Sequence, residues 1–196
     1  MKQLPAYNDF IEHRADGIGF AAFIDVDEFV CLKKDKSMSD FLSRFEDCYA
    51  IGLNWKLFGD SGLKFDGNLS VLDRFTKCQT GFNQHIKTIL NMAKCKKHFH
   101  FINPHFVDAA YMHNVTVDAD KTRFIHGPWN PNYSTETAWL NHYHNKTWYE
   151  WKQKMARGRA DARLEYVEQS FYDHNCNEVA DTTALDFMQK LQELSK

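Results

Sequence analysis

Strand-length apolar runs alternate with amphipathic helical patterns along this chain, which predicts an α/β domain with a mixed β-sheet flanked by helices. Two observations carry the expectation. The run from Ile18 to Ile24, interrupted only by Gly19, has strand length and apolar residues on both faces, as in a strand buried inside a sheet. Several other segments, among them 37–49 and 181–194, repeat apolar residues at helical spacing.

Taken in order, residues 4–14 read as a short helix with Leu4, Tyr7 and Ile11 on one face. Asp16-Gly17 turns the chain into the apolar run. Residues 37–49 form a second helix, capped by Ser39 and buried through Phe41, Leu42, Phe45 and Tyr49. A strand at 50–55 leads into Gly59-Asp60-Ser61-Gly62, a loop whose glycines let the backbone approach a ligand. A strand is expected at 69–75, while 83–92 fits either helix or strand. Lys97 to Ile102 alternates polar and apolar, a half-buried strand with His98 and His100 on one face. Short strands at 109–117 and 121–126 follow, then the rigid Gly127-Pro128-Trp129 loop and a last strand at 138–143. Thr147 caps a helix carrying Trp148, Trp151 and Met155 on one face, and Asp181 caps a final amphipathic helix with Leu185, Met188, Leu191 and Leu194.

The totals narrow the function. At 196 residues the chain is long enough for one domain with a real core. A formal charge of -2 gives no reason to expect nucleic acid as a partner. Five scattered cysteines without a Cys-x-x-Cys argue for reduced thiols in a cytoplasm-like compartment. The start lacks the apolar core of a signal peptide and no run is long enough to span a bilayer, so the expected place is cytoplasmic, at most peripheral to a membrane. The sequons at Asn68, Asn114, Asn132 and Asn145 are then chance occurrences.

The apolar run ends in Asp25-Val26-Asp27-Glu28. On a strand Asp25 and Asp27 share one side, and two carboxylates at a strand's end make a hard oxygen site. Mg²⁺ or Mn²⁺ binds such a site together with the oxygens of a diphosphate. Open α/β sheets bind ligands at these strand ends.

Four separated segments resemble one pattern in order. Phe23-Ile24-Asp25-Val26-Asp27-Glu28-Phe29 resembles the "iDxDEF" block of the family-92-like glycosyltransferases, relatives of the family-2 group with the GT-A fold. Asn54-Trp55 with Phe58-Gly59-Asp60-Ser61-Gly62 is similar to their "nW..FGsSG" block. Lys87-Thr88-Ile89 resembles "KSI", and His105-Phe106 stands where they carry a His-aromatic pair. Asn141-His142-Tyr143, Lys146-Thr147, Glu150, Lys154 and Arg157-Gly158 fit their closing block. The likeness runs over residues 5–161, leaving 162–196 as a helical C-terminal extension.

The resemblance implies a GT-A-like mixed sheet and transfer of a sugar from a nucleotide-sugar donor to a hydroxyl of a glycan or glycoconjugate acceptor. It also implies Mn²⁺ or Mg²⁺ on the donor diphosphate. Asp25, Asp27 and His142 are then the candidate metal ligands, and Lys146, Lys154 and Arg157 the diphosphate partners. Trp55, Gly59, Ser61, Gly62, Lys87 and His105 are candidates for the sugars. Asp60 is the candidate catalytic base, with Glu28 as runner-up. Asp60 departs from the family pattern, which has a small residue there.

GT-A enzymes also place one or two βα units before the Asp-x-Asp strand, whereas only 24 residues precede Asp25. The expectation is a fold truncated at its N-terminus: a piece of a longer enzyme, a donor site completed by another chain, or loss of donor binding. An uncovered apolar sheet edge would favour self-association. Two rival readings stand beside the transferase. One is a degenerate carbohydrate-binding or scaffold module. The other is a metal hydrolase built on His98, His100, His105 and Asp27. The bland alternatives are a hydrogen-bonded His142, structural His98 and His100, a solvated basic helix and core tryptophans at 148 and 151.

Overall fold

A computed structural model describes residues 3–65, 67–95, 99–109, 115–133, 136–158 and 165–194. The elements run α1 (Gln3–His13), β1 (Phe20–Ala22), β2 (Glu28–Leu32), α2 (Met38–Ser43), β3 (Ala50–Leu57), α3 (Val71–Arg74), β4 (Lys77–Cys78) and β5 (Ile86–Asn91). There follow β6 (Phe99–Asn103), β7 (Phe106–Ala109), β8 (Thr116–Asp118), β9 (Phe124–Ile125), β10 (Ala138–His142), α4 (Trp148–Arg157), α5 (Glu168–Asp173), β11 (Val179–Ala180) and α6 (Thr183–Leu194). The main sheet has the order β1-β5-β3-β10-β2, with β8 on β3 and β9 on β8. It is mixed, as expected: β5 runs antiparallel to β1 and β3, and β8 parallel to β3.

The residues gather into two compact units, the first Met1–Asp25, Leu32–Trp55 and Asn83–Leu140, the second Val26–Cys31, Lys56–Phe82 and Asn141–Lys196. In the first unit β5 is central, hydrogen-bonded on both sides, and all six of its residues are buried. The sequence left this segment undecided because Lys87, Thr88 and Asn91 interrupt its apolar pattern. The structure supplies what lets them be buried. Asn91 Nδ2 donates to the carbonyls of Phe45, Glu46 and Cys48, and Thr88 Oγ1 donates to His105 O. The helix α1 packs Leu4, Tyr7 and Ile11 on a core of Leu90, Met92, Phe99, Phe101 and Val107. Phe23 closes it with rings at 4.3 Å from Tyr7 and 5.2 Å from Phe101.

The apolar run before the acids is not the doubly buried strand expected. Only Phe20–Ala22 is strand, none of residues 18–24 is fully buried, and Ile24 is half-exposed. The cause is position: among the described residues β1 is an edge strand, paired with β5. Asp25, Val26 and Asp27 consequently lie in the connection to β2 rather than at a strand's end, and Val26 is 98% exposed. The helix at 37–49 is also shorter than expected, and Ser37 rather than Ser39 caps it by accepting from Asp40 N.

In the second unit the segment expected as a strand at 69–75 is instead α3, with Ser70 as its cap. Leu72 and Phe75 join Phe58, Cys78 and Tyr143 in the core, against Leu185 and Met188 of α6. Thr147 caps α4 as predicted, within a capping box completed by Glu150. Both Glu150 oxygens also receive the Arg74 fork at 2.9 Å. Trp151 is fully buried. Asn145, one of the sequons, is buried too, with its amide donating to Phe171 O.

Candidate functional site

In the first unit the site is built around Lys87. Its side chain is 2% exposed, on the central strand, and an ammonium there requires a counter-charge. Asp25 provides it: Oδ2 lies 3.0 Å from Lys87 Nζ while Oδ1 accepts from Gln3 Nε2 at 3.3 Å. The carboxylate itself is 44% exposed, so the pair joins a buried cation to an anion open to solvent.

Beside this pair runs a line of aromatic and histidine rings. The β3–β5 register continues past Ile86, with Trp55 N donating to His85 O at 2.9 Å and Asn83 N to Trp55 O at 2.7 Å. Trp55 and His85 stack with centroids 5.1 Å apart and planes 25° apart. His105 meets Trp55 edge-on at 5.0 Å, and its Nδ1 lies 3.1 Å from Ile86 O. A carbonyl only accepts, so Nδ1 carries the proton. Burial, reinforced by the nearby charge of Lys87, pushes the His105 pKa down to about 4. His105 is thus a neutral imidazole at physiological pH.

Trp129 stands at the exposed end of this line. Its Nε1–H donates to His85 Nε2 at 3.0 Å, while His85 Nδ1 lies 2.8 Å from Asn83 Oδ1. One tautomer satisfies both bonds, with Nδ1 donating and Nε2 accepting. The loops beneath are fixed by Asn54, whose amide donates to the carbonyls of Asn83, Gln84 and Asn130 and accepts from Asn130 Nδ2.

In the second unit the acid is Asp27. Its carbonyl accepts from Tyr143 N at 2.9 Å, and His142 O accepts from Phe58 N at 3.0 Å. These backbone bonds hold Asp27 beside the end of β10. His142 Nε2 is 3.9 Å from one Asp27 oxygen and Lys146 Nζ is 3.9 Å from the other. The carboxylate and the imidazole are both largely buried, at 14% and 7% side-chain exposure. His144 lies next to His142, ring centroids 5.1 Å apart. Lys154 donates to His144 O and sits 4.9 Å from the Tyr166 ring and 5.3 Å from Trp151. That cage of rings holds its charge, whereas Arg157 is exposed at the end of α4.

The loop at 59–62 is fastened to the chain itself. A Cβ on Gly59 would meet Cys176 O at 2.4 Å and Asn177 Oδ1 at 2.6 Å, so the close approach that this glycine permits is to the 176–177 segment. Asp60 N donates to Asn175 Oδ1, Ser61 N to Asn177 Oδ1, and Gly62 N to Asp60 Oδ1. Ser61 Oγ accepts from the amides of Thr76 and Lys77. Asp60 therefore serves its own loop, and its Oδ1 also receives Asn177 Nδ2.

Of the residues singled out from sequence, the structure gathers Asp25, Lys87, His105 and Trp55 in the first unit. In the second it gathers Asp27, His142 and Lys146. Glu28 is buried at the start of β2. His98 lies outside the described residues and His100 is exposed on β6. Among the described residues no three His, Cys, Asp or Glu side chains stand in metal-ligand geometry. An open cavity of about 330 Å³, lined by Tyr49, Val117, Lys121, Arg123 and Phe124 among others, contains none of the motif residues. His85 and Trp129 escaped the sequence reading. The available signals were the i, i+2 spacing of His85 and Lys87 and a tryptophan in a Gly-Pro loop.

A mixed α/β fold with helices around the sheet is consistent with the glycosyltransferase class. The model of glycosyltransferase family 92 matches residues 5–180, and the chain belongs to that family. The match extends past the motif blocks to the 175–177 segment that secures the glycine loop. No curated protein matches the chain.

Proposed function

We propose that this chain moves a sugar from a nucleotide-sugar donor to a hydroxyl of a glycan or glycoconjugate, assisted by a divalent cation. The observation that supports this is Asp27 flanked by His142 and Lys146, each 3.9 Å from a different carboxylate oxygen. The carboxylate is an oxygen donor of the kind Mn²⁺ or Mg²⁺ takes together with diphosphate oxygens and water, and the imidazole adds a nitrogen that Mn²⁺ would accept more readily than Mg²⁺. Asp27 and His142 would hold the ion; when bound, it supplies positive charge to the diphosphate leaving group. Asp25, the other acid of the triplet, has its carboxylate on Lys87 and is the less direct ligand.

Lys146 brings a mobile ammonium to the same place, half-buried and with a left-handed backbone (φ 58°) that fixes where its side chain departs. On donor binding it would exchange the Asp27 carboxylate for a phosphate oxygen, a charge-assisted bond of the same kind. Within the first unit, neutral His105 beside Trp55 offers a polar but uncharged imidazole, which can hydrogen-bond a sugar hydroxyl.

Calorimetric titration of UDP and GDP, with and without Mn²⁺, tests the reading. Wild-type protein is expected to bind one of them in a Mn²⁺-dependent manner, and Asp27→Ala to lose at least tenfold in affinity. Equal binding by wild type and Asp27→Ala, or no binding by the wild type, refutes it.

A further inference from the structure

Trp129 is 56% exposed, yet its loop and its indole N–H are both hydrogen-bonded within the protein. Its loop is pinned by Ile86 N donating to Pro128 O and Asn130 N to Gln84 O, together with a β-bridge between His85 and Trp129. Asn130 is buried against Asn54. The indole N–H is itself taken by His85 Nε2. An indole whose only donor is satisfied by protein has its π face left to offer to a ligand, and its orientation is already fixed. Rigid presentation of a large apolar ring removes the ordering cost that a loose side chain would add to binding.

We infer that Trp129 is a stacking platform for a pyranose ring of the acceptor glycan, held in place by His85 and Asn54. The identification of the occupant rests on the glycosyltransferase reading; the preorganisation does not. The C–H face of a neutral pyranose matches an indole in size and polarity, and the neighbouring groups suit the ring's hydroxyls. From Trp129 the line of rings passes through His85 to Trp55 and His105, and His105 borders the Asp25–Lys87 pair. A sugar seated on Trp129 would thus reach along neutral hydrogen-bonding groups toward the acid end of this unit.

The test titrates the full chain with lactose, cellobiose, chitobiose and mannobiose by calorimetry, a readout that does not depend on the indole being present. At least one is expected to bind saturably. Trp129→Ala is expected to weaken that binding about tenfold or more, as for loss of one aromatic stacking contact and its buried area. Trp129→Phe, which keeps a face, is expected to stay within about threefold. Urea midpoints of both variants, compared with wild type, separate lost binding from lost folding. Binding unchanged in folded Trp129→Ala, or binding of none of the four sugars by the wild type, overturns the inference. Parallel calorimetry with UDP, GDP and Mn²⁺ keeps the two readings apart. Sugar binding that depends on Trp129 without nucleotide binding leaves the platform standing and removes the transferase reading. Nucleotide binding with Trp129-independent sugar binding does the reverse.

Discussion

Acidification tests the buried imidazole most directly. His105 has a native pKa of about 4, against 6.5 for the free side chain, because burial first, and then the charge of Lys87, oppose its protonation. Asp25 acts in the other direction, as does the carbonyl of Ile86. The unfolded chain takes up the proton near 6.5 while the native state refuses it until about 4. Between those values the unfolded state binds more protons, so stability falls as the pH falls, by about 1.4 kcal/mol per pH unit at most. The accumulated loss from this one group is about 3 kcal/mol, complete below the native pKa and absent above the free one. Urea midpoints measured from neutral pH down to about 4 on wild type and His105→Phe isolate it, since the other titrating groups cancel in the difference. The phenyl ring keeps the edge contact with Trp55 and loses the bond to Ile86 O, so the variant should be less stable at neutral pH. Its stability should decline more shallowly on acidification, and the two curves should converge. Parallel curves would show that His105 is not held neutral by its surroundings and would refute the reasoning.

Asp25→Ala removes the carboxylate partner of an ammonium whose side chain is 2% exposed, at an expected cost of about 2 kcal/mol. That is less than for a fully buried pair because Asp25 is 44% exposed. Adding Lys87→Met to Asp25→Ala should recover much of the loss in urea denaturation; no recovery would mean that the cost has another source. Gly59→Ala places a Cβ against Cys176 O and should cost about 1–3 kcal/mol, seen as a lower Tm of the full chain. An unchanged Tm would mean that the 175–177 segment yields without cost.

How much of this was legible in the sequence differs from residue to residue. Thr147 is a local signal and caps α4 as its sequence predicts; Glu150, which completes the capping box, was named only as a residue of the closing family block. Leu4, Tyr7 and Ile11 were likewise read from spacing alone. The run at 18–24 misled because apolar composition does not say whether a strand is central or at an edge, and an edge strand buries far less. Lys87 obscured β5 for the opposite reason. A lysine contradicts a buried strand until a carboxylate from a distant segment comes within 3.0 Å.

Four spaced blocks of side chains point to glycosyl transfer in general without any coordinates, and the family match agrees. The sequence by itself also determined the mixed sheet, because strand and helix periodicities are local. Where each motif residue sits follows from tertiary contacts. The glycine loop approaches Cys176 and Asn177 because chain reversal brings them there, Lys154 enters a cage made by Trp151 and Tyr166, and Asp27 comes to His142 through pairing at the end of β10. The fixed indole of Trp129 depends on hydrogen bonds from residues 44 and 76 positions away in the chain, through His85 and Asn54 to its loop. Such long-range bonds leave no periodicity in a sequence, and they are what turns an ordinary loop tryptophan into a presented surface.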